Sequence, residues 1–159
     1  MILAGELQPG MRLPVEKDLA EHLGVSRVRR VLETEAAGQT ASRITPEGLA
    51  EARAVLDDAA RILDAEAVDH ERFIETDVAF HRVVAGHCGN PVITALVETL
   101  ASRTVHARLL RGLRHGGTEA RAHADHEAIW RALADHDAER ARTHMAAHLL
   151  TVEEDLGEH

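Results

Sequence analysis

The sequence predicts an all-α protein, on three observations. Alanine, leucine, arginine and glutamate dominate, aromatic residues make up only 2% of the chain and tyrosine is absent, so the core must be aliphatic and the local propensities are helical. Apolar residues recur at three- and four-residue spacing along most of the length. Helix start and stop signals, such as Thr45-Pro46-Glu47 and Gly89-Asn90-Pro91, punctuate these stretches. At 159 residues, 45% hydrophobic and 28% charged, the composition is that of one or two small globular domains with enough chain for a real core. A single cysteine, Cys88, rules out an internal disulfide. No run of about 18 apolar residues and no secretory signal is present, so the expected compartment is the cytoplasm, with no membrane partner.

Taken in order, residues 7–10 form a turn and Leu13-Pro14 breaks the chain before a short helix at about residues 15–23, with Leu19, Ala20 and Leu23 as its apolar face. Gly24 is expected to end that helix, and Ser26 to cap a second one whose first turn carries Arg27. Residues 30–41 give a further helix with Gly38 as a soft spot. Thr45 then caps a helix with Pro46 at its first position and Leu49, Ala52, Leu56, Ala59 and Leu63 as its buried stripe. Asp69 begins the next helix, which the Gly89-Asn90-Pro91 turn ends. An amphipathic helix runs from residue 92 to about 113, residues 112–117 form a loop, and two last helices cover about 118–134 and 137–153.

The stretch at 75–91, ETDVAFHRVVAGHCGNP, is the anomaly among these helices. Phe73, Phe80, Val84 and Cys88 form its apolar stripe, and Asp77 and His81 fall on or beside that stripe, one turn apart. A carboxylate facing a core costs roughly several kcal/mol unless it is paired, protonated or bound to a cation. For these two residues alone, a buried Asp–His hydrogen bond is the plainer reading. Two later helices change the balance. Ala122, His126, Ile129 and Leu133 share one face, as do Ala138, Ala141, Met145, His148, Leu149 and Val152, so His126 and His148 also point inward while His123 and His144 lie off those stripes. One aspartate and three histidines from three helices suit a divalent transition metal, zinc, nickel, manganese or iron with zinc foremost, and leave coordination positions open for solvent or a small carboxylate.

Net charge is −9, which by itself argues against binding nucleic acid. The charge is segregated, however: residues 1–30 carry five basic against four acidic side chains, leaving −10 on the remainder. Within that first segment Gly5-Glu6-Leu7, Pro9-Gly10, Leu13-Pro14, Glu16, Leu19-Ala20 and Leu23-Gly24-Val25-Ser26-Arg27 follow one another. This order resembles the start of the winged helix-turn-helix of the GntR family of bacterial transcription regulators. The resemblance implies DNA contacts at Lys17 and Arg27, with Ser26 at a phosphate; without it, the segment reads as a helical hairpin with an arginine on its surface. After Arg27 the family's recognition helix and wing are missing, so residues 1–28 are expected to be a partial DNA-binding domain, with some forty family residues absent around residues 28–30.

From residue 29 to 153 the chain resembles the all-helical FCD ligand-binding domain of the FadR subfamily, and residues 29–159 are assigned to it. The resemblance rests on Asp77-x-x-Phe80-His81, Gly89-Asn90, Glu127-Ala128-Ile129 after His126, Ala132-Leu133 with Asp137, and Met145-x-x-His148. It implies an antiparallel helical bundle and metal ligation by Asp77, His81, His126 and His148. A carboxylate effector would also need an arginine, whose fork fits it bidentately. Arg29, Arg30, Arg82 and Arg108 are candidates, Arg29 aligning best with the family's first-helix arginine; each is otherwise a surface arginine in a salt bridge. Trp130, one turn after His126, walls the pocket or is plain core.

The function these features imply is a homodimeric, ligand-responsive regulator that binds operator DNA, a metal and a small carboxylate, and is not an enzyme. A metal-dependent helical-bundle enzyme and an isolated sensing or dimerisation fragment are the alternatives. No inward Glu, Lys or second Asp is placed as a general base, and no nucleophile or phosphate loop is visible.

Overall fold

The computed structural model of the chain describes residues 14–103, 105 and 117–157. Among them every regular element is an α-helix: α1 (Pro14–Arg43), α2 (Pro46–Leu63), α3 (His70–Gly86), α4 (Pro91–Arg103), α5 (Thr118–Ala134) and α6 (Ala138–Gly157). Short connections fold α2 back on α3 and α5 back on α6, while α1 packs most extensively along α6. The expected turn at residues 7–10 and the end of the helix predicted to reach about residue 113 lie outside the described residues.

Local chemistry accounts for the helix starts. Thr45 caps α2 by accepting a hydrogen bond from the amide of Gly48 at 3.2 Å, with Pro46 in the first turn. Asp69 caps α3 through the amide of Arg72 at 3.1 Å. Helix α3 ends at Gly86, short of the predicted Gly89-Asn90-Pro91 stop, and the chain then turns through Gly89 at a φ of 76°, which glycine adopts without strain. Between α5 and α6 the turn places His136 at a φ of 52°, and its ring bonds the carbonyl of Ala41 at 2.9 Å, tying that turn to the end of α1.

The core is aliphatic, as the composition requires. Leu56, Ile129, Leu133, Met145 and Leu149 surround Phe80, and alanines 37, 41, 52, 132 and 141 let the helices approach closely. On α2 the buried set is Gly48, Ala52, Leu56, Ala59 and Ile62, so Leu49 and Leu63 stand at the edge of the expected stripe rather than in its centre.

The N-terminal prediction is corrected by the structure. Gly24 does not end a helix and Ser26 does not cap one: both lie inside α1, which runs unbroken for 30 residues. A glycine in a helix interior costs about 1 kcal/mol against alanine, a penalty that tertiary packing readily overrides. Here the packing is supplied by Ser26, Arg29, Glu33, Ala36, Ala37, Thr40 and Ala41, all buried and all at helical spacing on one face of α1. A Cβ at position 24 would meet nothing within 4 Å. The substitution Gly24→Ala is therefore expected to raise stability by roughly 0.5–1 kcal/mol in urea unfolding. A loss of stability would mean that Gly24 closes a helix in a left-handed conformation.

Candidate metal centre

Three helices carry chemistry into the aliphatic core. Asp77 and His81 stand one turn apart on α3, His126 is on α5 and His148 on α6, and each is no more than 2% exposed. Each offers one ligand atom within 4.8 Å of all the others. The Nε2 atoms of His126 and His148 lie 3.2 Å apart. Nε2 of His126 is 3.6 Å from Oδ1 of Asp77, and Nε2 of His81 is 3.9 Å from Oδ2 of the same carboxylate. A cation about 2.1 Å from each donor would hold tetrahedral neighbours about 3.4 Å apart, close to these separations. Nε2 of His81 has no hydrogen-bond partner although it is buried, an orphan that a cation would satisfy. The donor set, one carboxylate and three imidazoles, fits a divalent transition metal.

Ring contacts fix the imidazoles. His126 stacks on Phe80 with centroids 4.5 Å apart, and His81 stacks on His148 at 5.3 Å. Two carboxylates complete the orientation from behind. Nδ1 of His81 donates to Glu33 on α1, and Nδ1 of His148 to Oδ2 of Asp125 at 3.1 Å. Glu33 also accepts from Nε of Arg29 at 2.7 Å, and both of those side chains are buried. Burial pushes the Glu33 carboxyl up, but the Arg29 guanidinium and the His81 ring outweigh it and hold the carboxyl down at about 2. Glu33 is thus an ionised acceptor at neutral pH, so Nδ1 of His81 carries a proton toward it and Nε2 faces the other donors.

The remaining expected site residues divide. Arg29 is 1% exposed and reaches the cluster through Glu33. Arg82, one residue past His81 and so about 100° around the helix, faces outward instead, its side chain 59% exposed and 3.6 Å from Glu98; it is not part of the centre. Trp130 is half-buried, donates from its indole nitrogen to the carbonyl of Leu49 at 3.0 Å and lies 5.1 Å beneath the Arg53 guanidinium, which places it in the α2–α5 contact. Arg53 in turn forms a two-pronged bond with Glu127 at 2.5 and 3.0 Å. Arg108 and the side chain of Lys17 lie outside the described residues. Ser26 is buried, with no hydrogen-bond partner for its hydroxyl, and so does not stand where a phosphate could reach it. Arg27 and Arg30 both bond Glu153 on α6, at 2.8 and 3.2 Å.

Sequence reasoning missed Glu33 and Asp125. Glu33 had a signal, since it follows Arg29 by four residues on the inward face of α1, the same argument that singled out Asp77. Asp125 had none: it adjoins His126 and lies off the apolar stripe.

The comparisons with known proteins recover this helical architecture. Residues 25–151 match the FCD domain family and residues 1–45 match the bacterial regulatory proteins of the gntR family. The chain belongs to the FCD domain family, in the gntR-type arrangement in which a regulator segment precedes that domain. Among solved structures it is similar to the GntR protein of Streptococcus agalactiae, with a TM-score of 0.73 at 20% identity over 89% of this chain and 61% of that one. It is also similar to McbR/YncC of E. coli, with a TM-score of 0.74 at 19% identity over 84% of this chain and 63% of that one. At these identities the likeness establishes the fold, and the chain spans about three-fifths of the length of either neighbour. No curated protein matches the chain.

The Arg27–Glu153–Arg30 junction yields a pH test. Burial pushes the Glu153 carboxyl up, but its bonds to Arg27 and Arg30 outweigh this and leave it below the usual carboxylate range. A lowered folded-state value contributes stability that is complete above the unfolded value and is lost as pH falls through the folded one. Because Arg27 is 68% exposed, solvent screening keeps the contribution small. Glu153→Gln should cost roughly 0.5 kcal/mol at pH 7 and low salt, with the difference from the parent chain shrinking towards zero on acidification into the carboxylate range. A difference independent of pH would show that the carboxylate charge is not what holds α1 to α6 there.

Proposed function

We propose that the protein is a ligand-responsive, DNA-binding transcription regulator of the FadR subfamily. In this reading its helical domain binds a divalent transition metal, zinc foremost, through Asp77, His81, His126 and His148. The observation that carries it is the convergence of four buried donor atoms from three helices, with His81 lacking a partner on the nitrogen that faces them. The bound metal would supply an open coordination position for one oxygen of a small carboxylate effector, with Arg29 as the buried cation beside it. Arg82 is dropped from the effector set because it points to solvent. No group among the described residues is placed as a nucleophile beside a base, and the reading is of a sensor rather than an enzyme.

In the same reading residues 1–28 belong to the DNA-reading part, with Lys17 and Arg27 as phosphate or base contacts, and the protein acts in the cytoplasm as a homodimer on operator DNA. That α1 carries both Arg27 and Arg29 makes it the element through which the sensory site would act on the reader. Ser26 is not carried forward as a DNA contact, because its hydroxyl is inside the bundle.

Two measurements test this. Protein purified without a histidine tag should carry close to one metal ion per chain by elemental analysis, and His126→Ala and His148→Ala should each lose most of it; unchanged metal content in both variants would contradict the assignment. Fluorescence anisotropy with DNA selected from a random pool should show a change of about fivefold or more in DNA affinity when metal and a small di- or hydroxycarboxylate are added together. Failure to select any DNA sequence, or an affinity indifferent to both additions, would count against the regulator reading.

A further inference from the structure

One buried group in the core is not a metal-donor candidate and yet touches one. Glu33 on α1 takes its two hydrogen bonds from opposite sides: Nε of Arg29, on its own helix, and Nδ1 of His81, on α3. All three side chains are no more than 2% exposed. Among the described residues the four donors come from α3, α5 and α6, and Glu33 ties α1 to one of them, His81. His148 is also backed by a carboxylate, but that one, Asp125, sits on α5 and its side chain is 35% exposed.

We infer that Glu33 is a positioning residue that sets the metal affinity of the site through His81 and makes the order of the Arg29 turn of α1 depend on metal occupancy. This rests on the metal-binding reading above. The carboxylate fixes the His81 proton on Nδ1 and aims Nε2 at the other donors, which raises the basicity of the ligating nitrogen. With Nε2 engaged in ligation, the Nδ1–H of His81 would be a stronger donor to Glu33, and Glu33 would carry that tighter bond to α1. The carboxylate is needed because two donors share it. A glutamine of the same size has one carbonyl oxygen, so it satisfies Arg29 or His81 and presents its NH2 group to the other.

Glu33→Gln and the double variant Arg29→Met/Glu33→Gln are the tests, the second because it leaves no unpaired buried guanidinium and so protects folding. Zinc affinity is measured by chelator competition on the full chain, with far-UV circular dichroism and thermal melting of the metal-free form beside it. Hydrogen exchange is followed separately for α1 around residues 26–36 and for α3. In the parent chain zinc should slow exchange in both helices. In the double variant, the metal-free form should remain helical, zinc should bind about 10- to 100-fold more weakly, and saturating zinc should slow exchange in α3 but no longer in α1. Parent-like zinc affinity and α1 protection in the folded double variant would overturn the role of Glu33 while leaving the metal site standing. No zinc binding by the parent chain would overturn the metal reading and this inference with it.

Discussion

Everything in this bundle is arranged around the cost of keeping charge out of water. Its centre holds Asp77, three histidines, Glu33 and Arg29, each all but inaccessible to solvent, in a core otherwise built of leucine, isoleucine, alanine and one phenylalanine. Such a cluster is destabilising unless each group meets an opposite charge, a hydrogen bond or a cation. Arg29, Glu33 and His81 meet that demand in sequence, and Asp125 does so for His148. Where the four donor atoms face one another, Nε2 of His81 has no hydrogen-bond partner among the described residues, and that is where a cation fits.

The helices explain why the arrangement is possible. Four donors from α3, α5 and α6 converge because each helix puts its donor on its buried stripe, and alanines at the close contacts let the backbones approach. Helix α1 closes the group from the remaining side with a carboxylate rather than a ligand. The same helix is bonded at its other face to Glu153 of α6 through Arg27 and Arg30. A change in how α1 sits would thus be felt at both places.

How much of this was legible in the sequence depends on the residue. The helices and the inward directions of Asp77, His81, His126 and His148 followed from periodicity, because a polar residue on an apolar stripe has one direction to point. Thr45 and Asp69 were legible as helix starts because capping is a local interaction. Gly24 was misread for the opposite reason: whether a glycine ends a helix depends on what packs beyond it, and the inward face from Ser26 to Ala41 decides that. Arg82 was chosen by charge, which carries no direction, and the structure turns its side chain outward while its neighbour His81 takes the inward position. The partner that Glu33 finds on α3 is 48 residues away, a contact that one sequence does not encode locally.

The central claim is that the four inward donors are a metal centre. X-ray absorption at the zinc edge of the metal-loaded protein tests it most directly. Three imidazole nitrogens and one or two oxygens at about 2.0–2.2 Å are predicted, with the imidazole multiple-scattering signal reduced by one ring in His126→Ala. A spectrum with no imidazole contribution, or one that His126→Ala leaves unchanged, would contradict it.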